Sequence, residues 1–128
     1  MFTVRQTEEF VAWLDALKDK RAQIRIAARL RQAEAGSLGD WQPTEGEVSE
    51  MRVHYGPGYR LYFVRRGRVI IVMLNAGDKS TQKRDIRHAL KLASELGDDL
   101  GLKPRQRPSL LRSMQPDTSM MTKPSPST

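Results

Sequence analysis

VSEMRVHYGPGYRLYFVRRGRVIIVML, residues 48–74, reads as three strands in succession. In residues 48–55, Met51, Val53 and Tyr55 point one way and Glu50, Arg52 and His54 the other, the period-two pattern of a half-buried strand. Gly56-Pro57-Gly58 turns the chain. In residues 59–65, Tyr59, Leu61 and Phe63 share one face, and Arg60, Tyr62 and Val64 share the other. Arg66-Gly67 marks a second tight turn. Residues 69–74 are apolar on both faces, as in a strand covered on both sides. The three strands make an antiparallel meander, and the tight turn lets Arg52 and Arg60 share a face.

Upstream, FTVRQT at 2–7 reads as a first strand. Thr7 can cap a helix whose first turn carries Glu8 and Glu9, where the helix dipole favours acids. Phe10, Trp13, Leu14 and Leu17 share one face of that helix. A second helix runs from about Asp19 to Ala35 with Ile26, Ala27, Leu30 and Ala33 as its stripe, and Gly36 stops it. Arg21, Arg25 and Arg29 line another face. Residues 37–46 are rich in turn formers and read as a loop. Downstream, Asn75 to Asp78 ends the last strand, and Ser80 or Thr81 can cap a final helix over 82–96. Its stripe is Ile86, Ala89, Leu90, Ala93 and Leu96. The order β-α-α-β-β-β-α predicts an α+β domain over 1–103, with an N-terminal helical hairpin and a C-terminal helix packed on an antiparallel sheet. Five of the seven prolines fall in 104–128, which show no apolar periodicity and read as a disordered tail.

The 128 residues carry a net charge of +7, and it is concentrated. Ten lysines and arginines face two carboxylates between residues 52 and 91. Such a field fits a phosphate-bearing partner, and equally fits solvated strand edges. With no cysteine and two histidines, a zinc centre is not expected. The longest apolar run, 69–74, is too short to span a bilayer, and no signal pattern opens the chain. The expectation is a cytoplasmic protein without metal or cofactor.

Two separated motifs carry a resemblance. Glu50, Arg52, Gly56, Pro57, Gly58, Tyr59, Arg60 and Tyr62 match the first, approximately E-x-R-x-x-x-G-P-G-Y-R-x-Y. Gly77, Asp78, Lys79, Ser80, Gln82, Asp85, Ile86 and Ala89 match the second, with Gln82 one place early. Together they resemble the phage-derived, HigB-like "addiction module killer" branch of the RelE/ParE toxin superfamily. The resemblance implies a type II toxin paired with a cognate antitoxin, usually a helix-turn-helix protein, the complex also binding operator DNA. RelE- and HigB-like members cleave messenger RNA, generally on the ribosome. ParE-like members poison DNA gyrase without chemistry of their own. A non-catalytic basic binding protein is the third reading.

RNA cleavage by the adjacent 2′-hydroxyl needs a base, an acid and positive charge on the phosphoryl oxygens. The resemblance assigns phosphate or transition-state contacts to Arg60 and Lys79, and a substrate contact to Arg52. His54 shares the face of Arg52 and belongs to a residue type that titrates near neutral pH, so it is a candidate acid or base, or else a surface histidine. Tyr62 is a candidate for stacking on a base, and Ser80 for a substrate contact. The last helix has no tyrosine where RelE has one.

Overall fold

The computed structural model describes residues 1–96 and 111–113. Its elements in chain order are β1 (Thr3–Thr7), α1 (Glu8–Asp15), α2 (Lys20–Glu34), β2 (Trp41–Glu45), β3 (Val48–Val53), β4 (Tyr59–Arg66), β5 (Ile70–Asp78), α3 (Gln82–Leu96) and β6 (Leu111–Ser113). A single 3₁₀ turn, Lys79–Thr81, leads into α3. The strands form one sheet in the order β2-β3-β4-β5-β1-β6.

The expected meander is present: β3, β4 and β5 pair antiparallel, with Arg52 directly opposite Arg60. β3 ends at Val53, so His54 and Tyr55 belong to the turn, which a bond from Gly58 N–H to Tyr55 C=O closes at 3.0 Å. Three features depart from the sequence reading. Residues 41–45, placed in a loop, form β2, an edge strand paired antiparallel to β3. An edge tolerates Pro43 because a proline there forfeits no bond to a further strand. β1 lies parallel to β5, which makes the sheet mixed. Leu111–Ser113, inside the segment read as disordered, pairs antiparallel with β1. The rest of 104–128 lies outside the described residues.

The sheet is covered on both faces. Phe10, Ala22, Ile26 and Leu30 of the helical hairpin pack on Met51, Leu61, Phe63, Ile71 and Met73. Ala89, Leu92, Ala93 and Leu96 of α3 pack on Val48, Tyr62, Val64, Val72 and Leu74. The alternation along β5 therefore feeds both cores, which is why its sequence is continuously apolar. The pairing of β4 with β5 slips between Tyr62 and Phe63, so Leu74 and Asn75 together face Tyr62. This bulge turns Asn75 toward α3, where its side-chain amide donates to the Asp85 carbonyl at 3.1 Å.

The caps explain the helix limits. The Thr7 hydroxyl accepts from Phe10 N–H at 3.0 Å and donates to the Leu74 carbonyl at 2.6 Å. One buried side chain thus starts α1 and fastens it to β5. Asp19 caps α2 through Arg21 and Ala22 N–H. Gly36, at φ +108°, ends it in a conformation that a side chain would strain. No helix among the described residues is long and apolar enough to cross a membrane.

Thr7→Ala removes the cap and the bond to β5 together. It is expected to cost about 1–2 kcal/mol in urea unfolding, with Thr7→Ser close to the parent protein.

Candidate functional site

The polar face of β3 and β4 is built on a buried carboxylate. Glu50 has no exposed surface. Its Oε2 accepts from Arg60 Nη1 at 2.8 Å and from Gln42 Nε2 at 2.9 Å, and its Oε1 from Gln82 Nε2 at 3.1 Å. The donors come from β4, β2 and α3, so one side chain ties three elements together. Desolvating a charge is costly, and only such a ring of donors makes this burial tolerable. Arg60 is thereby fixed, with 16% of its side chain exposed.

Arg52, opposite Arg60, reaches outward to Asp40 Oδ1 at 3.2 Å. The other oxygen of Asp40 meets His54 Nε2 at 2.5 Å. The bond to His54, joined by Arg52, holds the Asp40 carboxyl below its ordinary value. Arg29 of α2 positions this segment by donating to the carbonyls of Arg52, Leu38 and Asp40. A β-carbon at Gly39 would come within 2.8 Å of the Arg29 guanidinium, and Gly39 also has φ +68°, so both the approach and the turn require glycine. Burial lowers the pKa of Arg29.

On the other side, Lys79 and Ser80 follow β5. Asp78 Oδ1 accepts from Ser80 N–H at 2.8 Å and from its hydroxyl, and these bonds hold Asp78 below the usual carboxylate range. Thr81 donates to Asp85 Oδ2 at 2.5 Å. A β-carbon at Gly77 would sit 2.0 Å from that same Asp85 oxygen, so α3 approaches β5 closely only because residue 77 is glycine. The start of α3 borders an open depression of about 530 Å³, lined by Lys79, Ser80, Gln82, Lys83, Arg84 and Arg87. Gln82 belongs both to this rim and to the Glu50 ring, which links Arg60 to the depression.

The structure thus brings Arg52 and Arg60 together and sets Lys79 and Ser80 on the neighbouring rim. His54 lies apart, on Asp40 beside Arg25, Arg29 and Tyr55 of the α2 groove, with 74% of its side chain exposed. Tyr62 does not fit the role expected of it. It is completely buried under α3, and its hydroxyl has no hydrogen-bond partner among the described residues. Burial pushes its phenol up. A ring covered by a helix cannot stack on a base. The sequence reading passed over Glu50 and Gln82 as functional groups, and also Lys83, Arg84 and Arg87. The spacing of Lys83 and Arg87 by four, along one face of the last helix and just after Lys79, was the available signal.

A small mixed sheet between a helical hairpin and a single helix, with arginines and lysines gathered at one end, is the architecture of a RelE-like domain. The chain belongs to the phage derived protein Gp49-like family (DUF891), whose profile matches residues 12–96 and which comprises RelE/HigB-like addiction module killer proteins. An uncharacterized protein of Haemophilus influenzae is 39% identical over 94 residues, covering 73% of this chain and 95% of that protein. No solved structure gives a significant match. Membership is consistent with the toxin of a toxin–antitoxin pair and suggests a cognate antitoxin as partner.

Arg60→Ala leaves Glu50 buried with two amide donors and no cation. It is expected to destabilise the fold by about 3 kcal/mol, and the pair Arg60→Met with Glu50→Gln to recover most of that loss in denaturant unfolding. For Asp40, the folded carboxyl lies below its ordinary 3.8, so its stabilising contribution is complete above that value and is lost as pH falls through the lower folded one. NMR titration should give a midpoint below 3.8 that rises toward it in His54→Ala.

Proposed function

We propose that this protein is the toxin of a type II toxin–antitoxin system and cleaves messenger RNA in the cytoplasm without a metal. The observation that carries this reading is the cationic depression at the start of α3, coupled through Gln82 and Glu50 to Arg60. In the reaction the 2′-oxygen attacks the adjacent phosphorus and the bond to the 5′-oxygen breaks. The products are a 2′,3′-cyclic phosphate and a 5′-hydroxyl. The 2′-hydroxyl proton passes to a base, and the leaving oxygen takes a proton from an acid.

Lys79, with Lys83 and Arg87 behind it, neutralises charge growing on the phosphoryl oxygens. A guanidinium has five N–H donors, and Glu50 engages only part of the Arg60 fork, so Arg60 can hold substrate without leaving its anchor. Arg52 contacts the strand beside it, and Ser80 reaches the phosphate by turning its hydroxyl away from Asp78 Oδ1. His54, held on Asp40 apart from the depression, stays outside the reacting centre. A cognate antitoxin, of helix-turn-helix type, covers this cationic end in the resting complex.

Lys79 is the better probe than Arg60, because it is exposed and carries no buried partner. Lys79→Ala should keep the parent stability within about 0.5 kcal/mol and cut messages roughly a hundredfold more slowly. Sequencing message 5′ ends after induction reads the outcome. Intact messages with broken DNA in cells expressing the parent protein would overturn the proposal in favour of gyrase poisoning.

A further inference from the structure

Next to the basic depression lies a second cleft, of about 360 Å³. Trp13, Leu17, Pro57 and Tyr59 form an apolar wall, and Asp78, Thr81, Arg84 and Asp85 bring polar groups to it, Thr81 and Asp85 being bonded to each other. Trp13 is held edge-on to Tyr59, with ring centroids 5.8 Å apart, and tilted against Phe10 at 6.0 Å. Trp13 and Leu17 are only partly buried, so the apolar stripe of the helical hairpin does more than fill the core. Thr81 and Arg84 line both the cleft and the depression, so the two adjoin. A cationic hollow beside an aromatic cleft supplies the two environments that a nucleotide needs, one for phosphate and one for base.

The polar groups narrow the choice of base. Asp78 has one carboxylate oxygen engaged by Ser80 and can accept with the other. Arg84 donates, is 72% exposed, and touches Asp85 only loosely at 3.8 Å. Guanine offers acceptors at O6 and N7 beside N–H donors, the complement of an arginine and a carboxylate. On the same edge adenine places an N6–H donor beside N7, and uracil has no two adjacent acceptors, so guanine is the one of these that meets an arginine fork with two acceptors there. We infer that the cleft takes a guanine base of the RNA whose phosphate occupies the depression, with Trp13 as the stacking surface and Asp78 and Arg84 as the specificity-determining pair. This rests on the RNA-cleavage reading for its biological meaning, while the binding site can be tested without cleavage.

The experiment titrates the whole chain with guanosine 5′-monophosphate, uridine 5′-monophosphate and inorganic phosphate. It follows the Trp13 indole N–H and the amides of residues 79–87 by NMR, with Trp41→Phe to assign the indoles. The guanine nucleotide should shift the Trp13 indole and bind roughly tenfold more tightly than the uridine one. Phosphate alone should shift only the amides. Trp13→Ala should abolish the difference between nucleotides while leaving phosphate binding unchanged, and Trp13→Phe should keep it. An unmoved Trp13 indole, or equal binding of the two nucleotides, overturns the inference. If Trp13→Ala does not fold, the indole shift in the parent protein decides. Guanine binding without any message cleavage leaves the cleft standing and defeats the cleavage reading. Cleavage with no base preference at the cut sites does the reverse.

Discussion

The buried charge of Glu50 sets the terms for everything around it. A carboxylate with no access to water must be met by donors, and here they come from an edge strand, a central strand and a helix. Each is fixed in turn by what it gives. Gln42 keeps β2 on the sheet, Arg60 is held upright on β4, and Gln82 brings the first turn of α3 onto the strands. At the cationic end of the molecule, the arginine nearest the sheet is therefore anchored from below.

Around that anchor the work is divided between two layers. The helical hairpin fills one face of the sheet with large apolar side chains, and through Arg29 it also holds the backbone carrying Asp40. The single helix α3 closes the other face and presents its basic side chains at the end where β4 begins and β5 finishes. The bulge at Leu74 and Asn75 adjusts the two, because it lets β5 keep its pairing with β4 while turning Asn75 to receive α3. Gly77 permits the close approach of Asp85.

Much of this was legible in the sequence. The period-two alternation of residues 48–64, the Gly-Pro-Gly turn, the capping Thr7 and the stripe of the second helix identify the meander and the hairpin correctly. That Arg52 and Arg60 share a face followed from the alternation and the turn, and the structure sets them directly opposite. What escaped had physical causes. β2 was hidden because an edge strand can carry Pro43 and sit among turn formers. The parallel pairing of β1 with β5 depends on contacts between distant residues, which no local pattern records. Tyr62 shares a face with Arg60, and alternation alone cannot reveal that a helix covers one of them and leaves the other at the rim. Glu50 looked like another polar residue on a solvated face, since a buried charge and an exposed one have the same letter.

The place of β1 in the sheet has a consequence for synthesis. β1 leaves the ribosome about sixty residues before its neighbour β5, and Thr7 meets its acceptor at Leu74. Before residue 78 has emerged, the hairpin of α1 and α2 has no complete sheet to pack on, so the nascent chain holds separate pieces whose joining waits for long-range closure. Lys79 and the basic turn of α3 follow directly behind β5. Joining of β1 to β5 and arrival of the cationic end are thus nearly simultaneous, and a chain interrupted earlier has neither.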